Sequence, residues 1–75
     1  MSYEVRKHIG AGKWVIGGYA DAAEAQAAAV AACDTPGIEY VLFDEQSNEL
    51  GRAVWNEGKA EWRGPGGVPL PLPSA

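Results

Sequence analysis

Between Asp21 and Asp34 the chain reads DAAEAQAAAVAACD, and seven of the ten residues from Ala22 to Ala31 are alanine. Alanine gives up no side-chain freedom in a helix and is the strongest helix former, so this stretch predicts a helix that divides the chain into two halves. Asp21 is placed to accept from the open N–H groups of the first turn, and Glu24, three residues on, to reach back. This is the pattern of a capping box, with the carboxylate at the positive end of the helix dipole. Asp34-Thr35-Pro36-Gly37 ends the helix, because proline removes a donor and disfavours helix in the residue before it, while Gly37 permits the turn that follows. A helix of alanines has almost no bulk of its own, so it must lie close against a broader apolar layer, which predicts a sheet. Ala22, Ala25, Ala29 and Cys33 share one side and Glu24, Ala28 and Ala31 the other; the first side is expected to be buried.

The flanking segments read as strands. Tyr3 to Ile9 alternates, with Tyr3, Val5, Lys7 and Ile9 on one side and Glu4, Arg6 and His8 on the other. Gly10-Ala11-Gly12 suits a tight turn, and Trp14-Val15-Ile16 resumes β-rich sequence, giving a hairpin that ends near Tyr19. Gly17-Gly18 weakens the end of that strand and suggests a bulge or a close backbone approach. Beyond the helix, Ile38 to Phe43 (IEYVLF) is the most apolar stretch and belongs at the centre of the sheet. The polar run Asp44 to Glu49 is turn-prone, and Arg52 to Trp55 resumes strand character, giving a second hairpin. A further turn at Asn56 to Lys59 leads to a short edge strand at Ala60 to Arg63, with Trp55 and Trp62 as cross-strand neighbours. From Gly64 to Ala75 the glycines and prolines predict a flexible tail with local polyproline II character. Its prolines alternate, a spacing that does not give a PxxP ligand.

Hairpin, helix, hairpin is an α+β order, ββαββ, with one helix on one face of an antiparallel sheet. Residues 1–63 form the domain and 64–75 the tail. So short a chain is near the lower limit for a self-sufficient core, and a homodimer would enlarge it. The other sheet face is then uncovered, and some of Tyr3, Trp14, Tyr19, Tyr40, Trp55 and Trp62 are expected to stand on it as an association surface. Lys13-Trp14-Val15, the alanine helix, and the Tyr40-Val41-Leu42-Phe43-Asp44 strand with its polar turn resemble the small bacterial and phage-encoded ββαββ domains of unknown function. Those domains lend this chain no catalytic residues. In size and charge alone the chain is similar to the small acidic inhibitors that phages use against host defence, anti-CRISPR proteins among them.

Most chemistry is excluded by what is missing. Gly10-Ala11-Gly12-Lys13 superficially suggests a phosphate loop, but Lys7 stands where the first glycine belongs and Trp14 where a serine or threonine does. One histidine and one cysteine cannot build an ordinary Cys/His zinc site. Asp44, Glu45 and Glu49 miss the EF-hand pattern, and no cofactor motif is present. Asp44 and Glu57, as an acid and base pair, have no surrounding pocket that the sequence reveals. The single cysteine fits a reducing cytoplasm, and no run reaches transmembrane length.

Charge narrows the partner. The formal net charge is -4; residues 1–20 are basic on balance, whereas residues 21–61 carry nine acids against Arg52 and Lys59. The acid excess argues against a nucleic-acid partner and leaves another protein as the expected one, with no membrane role. Two versions of a non-enzymatic interaction module follow. In one, the aromatics Trp14, Tyr40, Trp55 and Trp62 form the contact; in the other, Asp44, Glu45, Glu49, Glu57 and Glu61 mimic nucleic-acid phosphates toward a basic partner. The alternatives are a small-ligand or thiol-dependent catalytic domain using Cys33 and His8, and a single-strand nucleic-acid binder using Arg6, Lys7, Lys13 and the sheet aromatics.

Overall fold

A computed structural model describes residues 2–70, apart from the side chain of Pro69. The elements follow in the order β1 (Tyr3–Ile9), β2 (Gly12–Tyr19), α1 (Ala22–Ala32), β3 (Ile38–Phe43), β4 (Glu49–Asn56), β5 (Lys59–Arg63), a 3-10 turn (Pro65–Gly67) and β6 (Pro69–Leu70). All strand pairs are antiparallel, in the spatial order β2-β1-β3-β4-β5-β6, and α1 packs across one face. No helix among the described residues is long and apolar enough to cross a membrane.

The α+β class and the helix-on-sheet arrangement agree with the sequence. The ββαββ order does not, because among the described residues four strands follow the helix rather than two. Of the two beyond the second hairpin, β5 is the expected edge strand, reached through a turn at Glu57-Gly58, and β6, reached through a turn at Gly64, was not expected. Glu57 and Gly58 both have positive φ (53° and 79°), the backbone twist that a two-residue hairpin requires. At Gly64 the N–H donates to the Val68 carbonyl at 2.7 Å, and the Gly67 N–H donates back to the Gly64 carbonyl at 3.1 Å. This fold-back lays Leu70 beside Trp62 and Pro69 beside Arg63, so residues 64–70, expected in a flexible tail, form a turn that adds the two-residue β6 to the sheet. Residues 71–75, the rest of that expected tail, lie outside the described residues.

Helix α1 begins as its sequence predicts, with the Asp21 carboxylate accepting the Ala23 N–H at 2.8 Å. The reciprocal bond from Glu24 is not formed among the described residues, although Glu24 still sits in the first turn, at the positive end of the dipole. The buried side is the expected one: Ala25, Ala29 and Cys33 are inaccessible or nearly so. They pack on Val5, Tyr40, Leu42, Ala53 and Trp62, with Tyr3, Tyr19, Ile38 and Trp55 at the margins. The registers Val5 to Leu42, Tyr40 to Ala53 and Ala53 to Trp62 place these residues in one layer across four strands. Trp55 faces Ala60 and Trp62 faces Ala53, so the two tryptophans are cross-strand neighbours on one face, placed diagonally.

Gly51 is a packing requirement of this layer. A Cβ there would stand 2.8 Å from Cε2 of the Trp62 indole and 3.0 Å from the Arg63 carbonyl oxygen. The indole is rigid and the carbonyl is held in the β4–β5 ladder, so neither yields cheaply. Gly51→Ala should therefore destabilise the fold by about 1–3 kcal/mol, seen as a lower urea midpoint at unchanged m-value.

Candidate functional site

Strand alternation decides which side chains reach the face opposite α1. Glu4, Arg6 and His8 of β1 pair in register with Phe43, Val41 and Glu39 of β3, and Val41 pairs with Arg52 of β4. The face is polar but not bare. Val41 is fully buried although it does not touch the helix-side core, because it lies between Arg6 and Arg52, whose apolar stems cover it. The Arg6 guanidinium lies 4.3 Å from the centre of the Phe43 ring, and its Nε donates to Glu4 at 2.6 Å. Arg52 bridges Glu39 at 2.7 Å and Glu49 at 2.6 Å, and the bonds to Glu49 first, then to Glu39, hold its pKa above the usual arginine value. Arg63 pairs with Glu61 at 3.0 Å.

The expectation of an outward aromatic surface is corrected by this arrangement. Tyr40 and Trp62 are buried under α1, and Trp55 packs against the same core. Phe43 alone among the aromatics lies on the opposite face, beneath Arg6. Trp14, on β2, is the one predicted aromatic site residue that is strongly exposed.

The predicted acids are dispersed and partly occupied. Asp44 and Glu45 stand at the β3–β4 turn and Glu57 at the β4–β5 turn, at opposite ends of the eight-residue β4 and so about 25 Å apart. Asp44 accepts the backbone N–H groups of Gln46 and Asn48, each at 2.9 Å. The Asn48 bond above all holds its carboxyl below the usual range. Glu49 is held by Arg52, and Glu61 accepts from Asn56 and Arg63, which lower its pKa in that order. Only Glu45 and Glu57 of the five have no protein hydrogen bond among the described residues.

His8 and Cys33 are not brought together. His8 pairs in register with Glu39 on the face away from the helix, whereas Cys33 lies in the helix-side core, so the sheet separates them. Burial pushes the Cys33 thiol up, with the nearby acids adding to the effect. His8 is lowered, first by burial and then by Lys13 and Arg52, and its Nε2 is buried without a protein partner. Lys7, Lys13 and Arg6 likewise form no continuous basic strip: Arg6 is paired with Glu4, and Lys7 points to the helix side, in register with Tyr40.

Among the described residues, two shallow cavities open on the face away from the helix. One, of about 380 Å³, is lined by Glu39, Arg52, Val54, Arg63, Gly66 and Gly67, and both of its arginines are already bound to glutamates. The other, of about 220 Å³, lies beside the end of β2 and is lined in part by Glu4, Arg6, Gly18, Asp44 and Glu45.

The most distinctive surface is the outer edge of β2, which no sequence argument singled out. This strand is the first in the sheet order, so one side of its backbone has no neighbour. Trp14, Val15 and Ile16 are 54%, 58% and 42% exposed, and Ile9 on β1 adds 39%. Val5 pairs with Gly17 and Arg6 with Val15, which leaves Ile16 as the extra residue of a bulge. The sequence signal was present in a run of three β-forming apolar residues, but sequence alone does not say which strand is outermost. Comparison with protein-family models, with curated proteins and with solved structures yields no match for this chain.

Two outcomes test this description. Because folding lowers the His8 pKa, the unfolded chain takes up a proton near 6.5 that the folded chain resists. Stability is therefore complete above that pH and falls as pH drops through the window below it; His8→Gln should flatten this part of a pH series of urea midpoints. Cys33 should react with a thiol reagent at pH 7.5 only at the rate at which the fold opens, and at once in denaturant.

Proposed function

We propose that the chain is a small non-enzymatic protein-binding module that receives its partner along the outer edge of β2. The observation that carries the reading is the exposed row Trp14-Val15-Ile16 on the outermost strand. An edge strand presents unpaired N–H and C=O groups, and proteins ordinarily blunt such edges with charge, proline or a covering element. Here the middle of the edge has neither charge nor proline, Lys13 stands near one end, and the far edge of the sheet is the two-residue β6 with its Pro69. Addition of an extended partner segment to such an edge is a common mode of protein recognition, in which backbone bonds give affinity and alternate side chains give selectivity. The opposite face supports the reading by default, since its charges are largely paired with one another.

The reading is tested by immobilising the full chain, Val15→Lys and Glu57→Lys, and comparing what each retains. A protein bound by the wild-type chain and by Glu57→Lys should be lost from Val15→Lys, and once purified should bind that variant at least tenfold more weakly. Retention by Val15→Lys with steep loss on Glu57→Lys or added salt would instead assign the acidic turns, the phosphate-mimic version.

A further inference from the structure

We infer that the segment received by the β2 edge is the β2 edge of a second copy of this chain, aligned antiparallel about a two-fold axis, with Val15 of each copy opposite Ile16 of the other. The inference rests on the edge reading above and adds the identity of the partner and the register.

The charge layout of β2 is the first ground. Lys13 is its one charged residue and stands near the hairpin end. At the other end Gly18 lies open, with nothing nearer to a hypothetical Cβ than the Tyr3 carbonyl at 3.9 Å, and it borders the 220 Å³ cavity, where Glu4, Asp44 and Glu45 outnumber the single cation Arg6. A two-fold axis carries each Lys13 to the Gly18 end of the other copy. Strands lie about 4.8 Å apart, so Glu4, which is in register with Gly18, is then about 10 Å from the lysine Cα, within the joint reach of the two side chains. Each copy thus supplies one cation and one acidic cavity; Glu4 already holds Arg6, so Glu45, which lines the same cavity and has no protein hydrogen bond among the described residues, is the acid left for the lysine.

The bulge narrows the choice of register, and the placement of Lys13 against the Gly18 end selects within it. Gly17 pairs with Val5 and Trp14 with Lys7, on the helix side; Gly18 pairs with Glu4 and Lys13 with His8, on the other side. Directly opposed residues in an antiparallel pair share a face. With Val15 against Ile16, Lys13 meets Gly18 and Trp14 meets Gly17, and the faces agree at both positions. A shift by one residue would put Trp14 and Lys13 against residues of the wrong face. Each large side chain also meets a glycine, and Trp14 gains Tyr19 of the second copy as a diagonal neighbour. The two six-stranded sheets become one of twelve, with both helices on the same side.

An edge contact of this size is small, so association is expected to be reversible, with a dissociation constant of roughly 10–100 µM. Sedimentation equilibrium of the full chain should be run over a hundredfold concentration range spanning that value, with Val15→Lys, Lys13→Glu, Glu45→Lys and the Lys13→Glu/Glu45→Lys double variant. Circular dichroism confirms that each is folded; all three sites are on the surface. The expected result is a wild-type dimer, no dimer for Val15→Lys, dissociation constants raised about tenfold or more by each single charge reversal, and recovery to within about threefold in the double variant. A wild-type monomer throughout overturns the second copy, while the retention experiment decides separately whether another protein uses the edge. A dimer indifferent to Val15→Lys overturns the pairing of the two β2 edges and its register, and leaves the edge reading to the retention experiment. A dimer broken by Val15→Lys but indifferent to Lys13→Glu overturns the register.

Discussion

The fold depends on the contact between an alanine helix and a sheet that supplies all of the bulk. Ala25 and Ala29 are completely buried, yet each offers a single methyl group. A short chain cannot fill a layer with methyl groups, so Tyr40, Leu42 and Trp62 fill it from below, and Gly51 and Ala53 leave room for the indole. The demand extends outward, since Tyr3, Tyr19 and Trp55 complete the same layer at its margins. Small residues on one element and large residues on the other are two halves of one packing solution.

What happens on the opposite face follows from that demand. With the aromatics drawn beneath the helix, Val41 and Val54 would lie open to water if nothing covered them. Arginine stems and glutamates from neighbouring strands do so, and the guanidinium groups pair on the spot with Glu4, Glu39, Glu49 and Glu61, which leaves the Arg63 Nε–H as the one buried guanidinium donor without a partner among the described residues. Such partly exposed pairs contribute little stability one by one. Their role is to let a half-open sheet exist without a sticky face, and the acid excess of the sequence is in part the counterpart of these arginines.

Much of this was legible beforehand. The helix, its Asp21 cap and its buried side follow from alanine density and spacing, and IEYVLF sits third in the sheet order because an apolar run without alternation needs cover on both faces. The aromatics were misplaced because strand alternation sorts side chains into two sets without saying which set meets the helix. The poverty of the alanine face, weighed fully, would have said it. The fold-back at Gly64 was illegible for another reason: glycine and proline permit a tail and a tight turn equally, and what distinguishes them here is the pairing of Leu70 with Trp62 across the sheet edge, a contact sequence alone does not reveal. The outer edge of β2 was hidden as well, since strand order is set by long-range pairing.

The two borders of the sheet are unequal, and this sets a valence. Among the described residues one border is an eight-residue strand with an apolar middle, and the other is two residues long and begins with a proline, which has no N–H to give. Among the described residues the β2 border alone is long enough to take a full added strand. Under the proposed edge pairing each copy offers one such border, so two copies close on each other and leave only the short β6 borders outside.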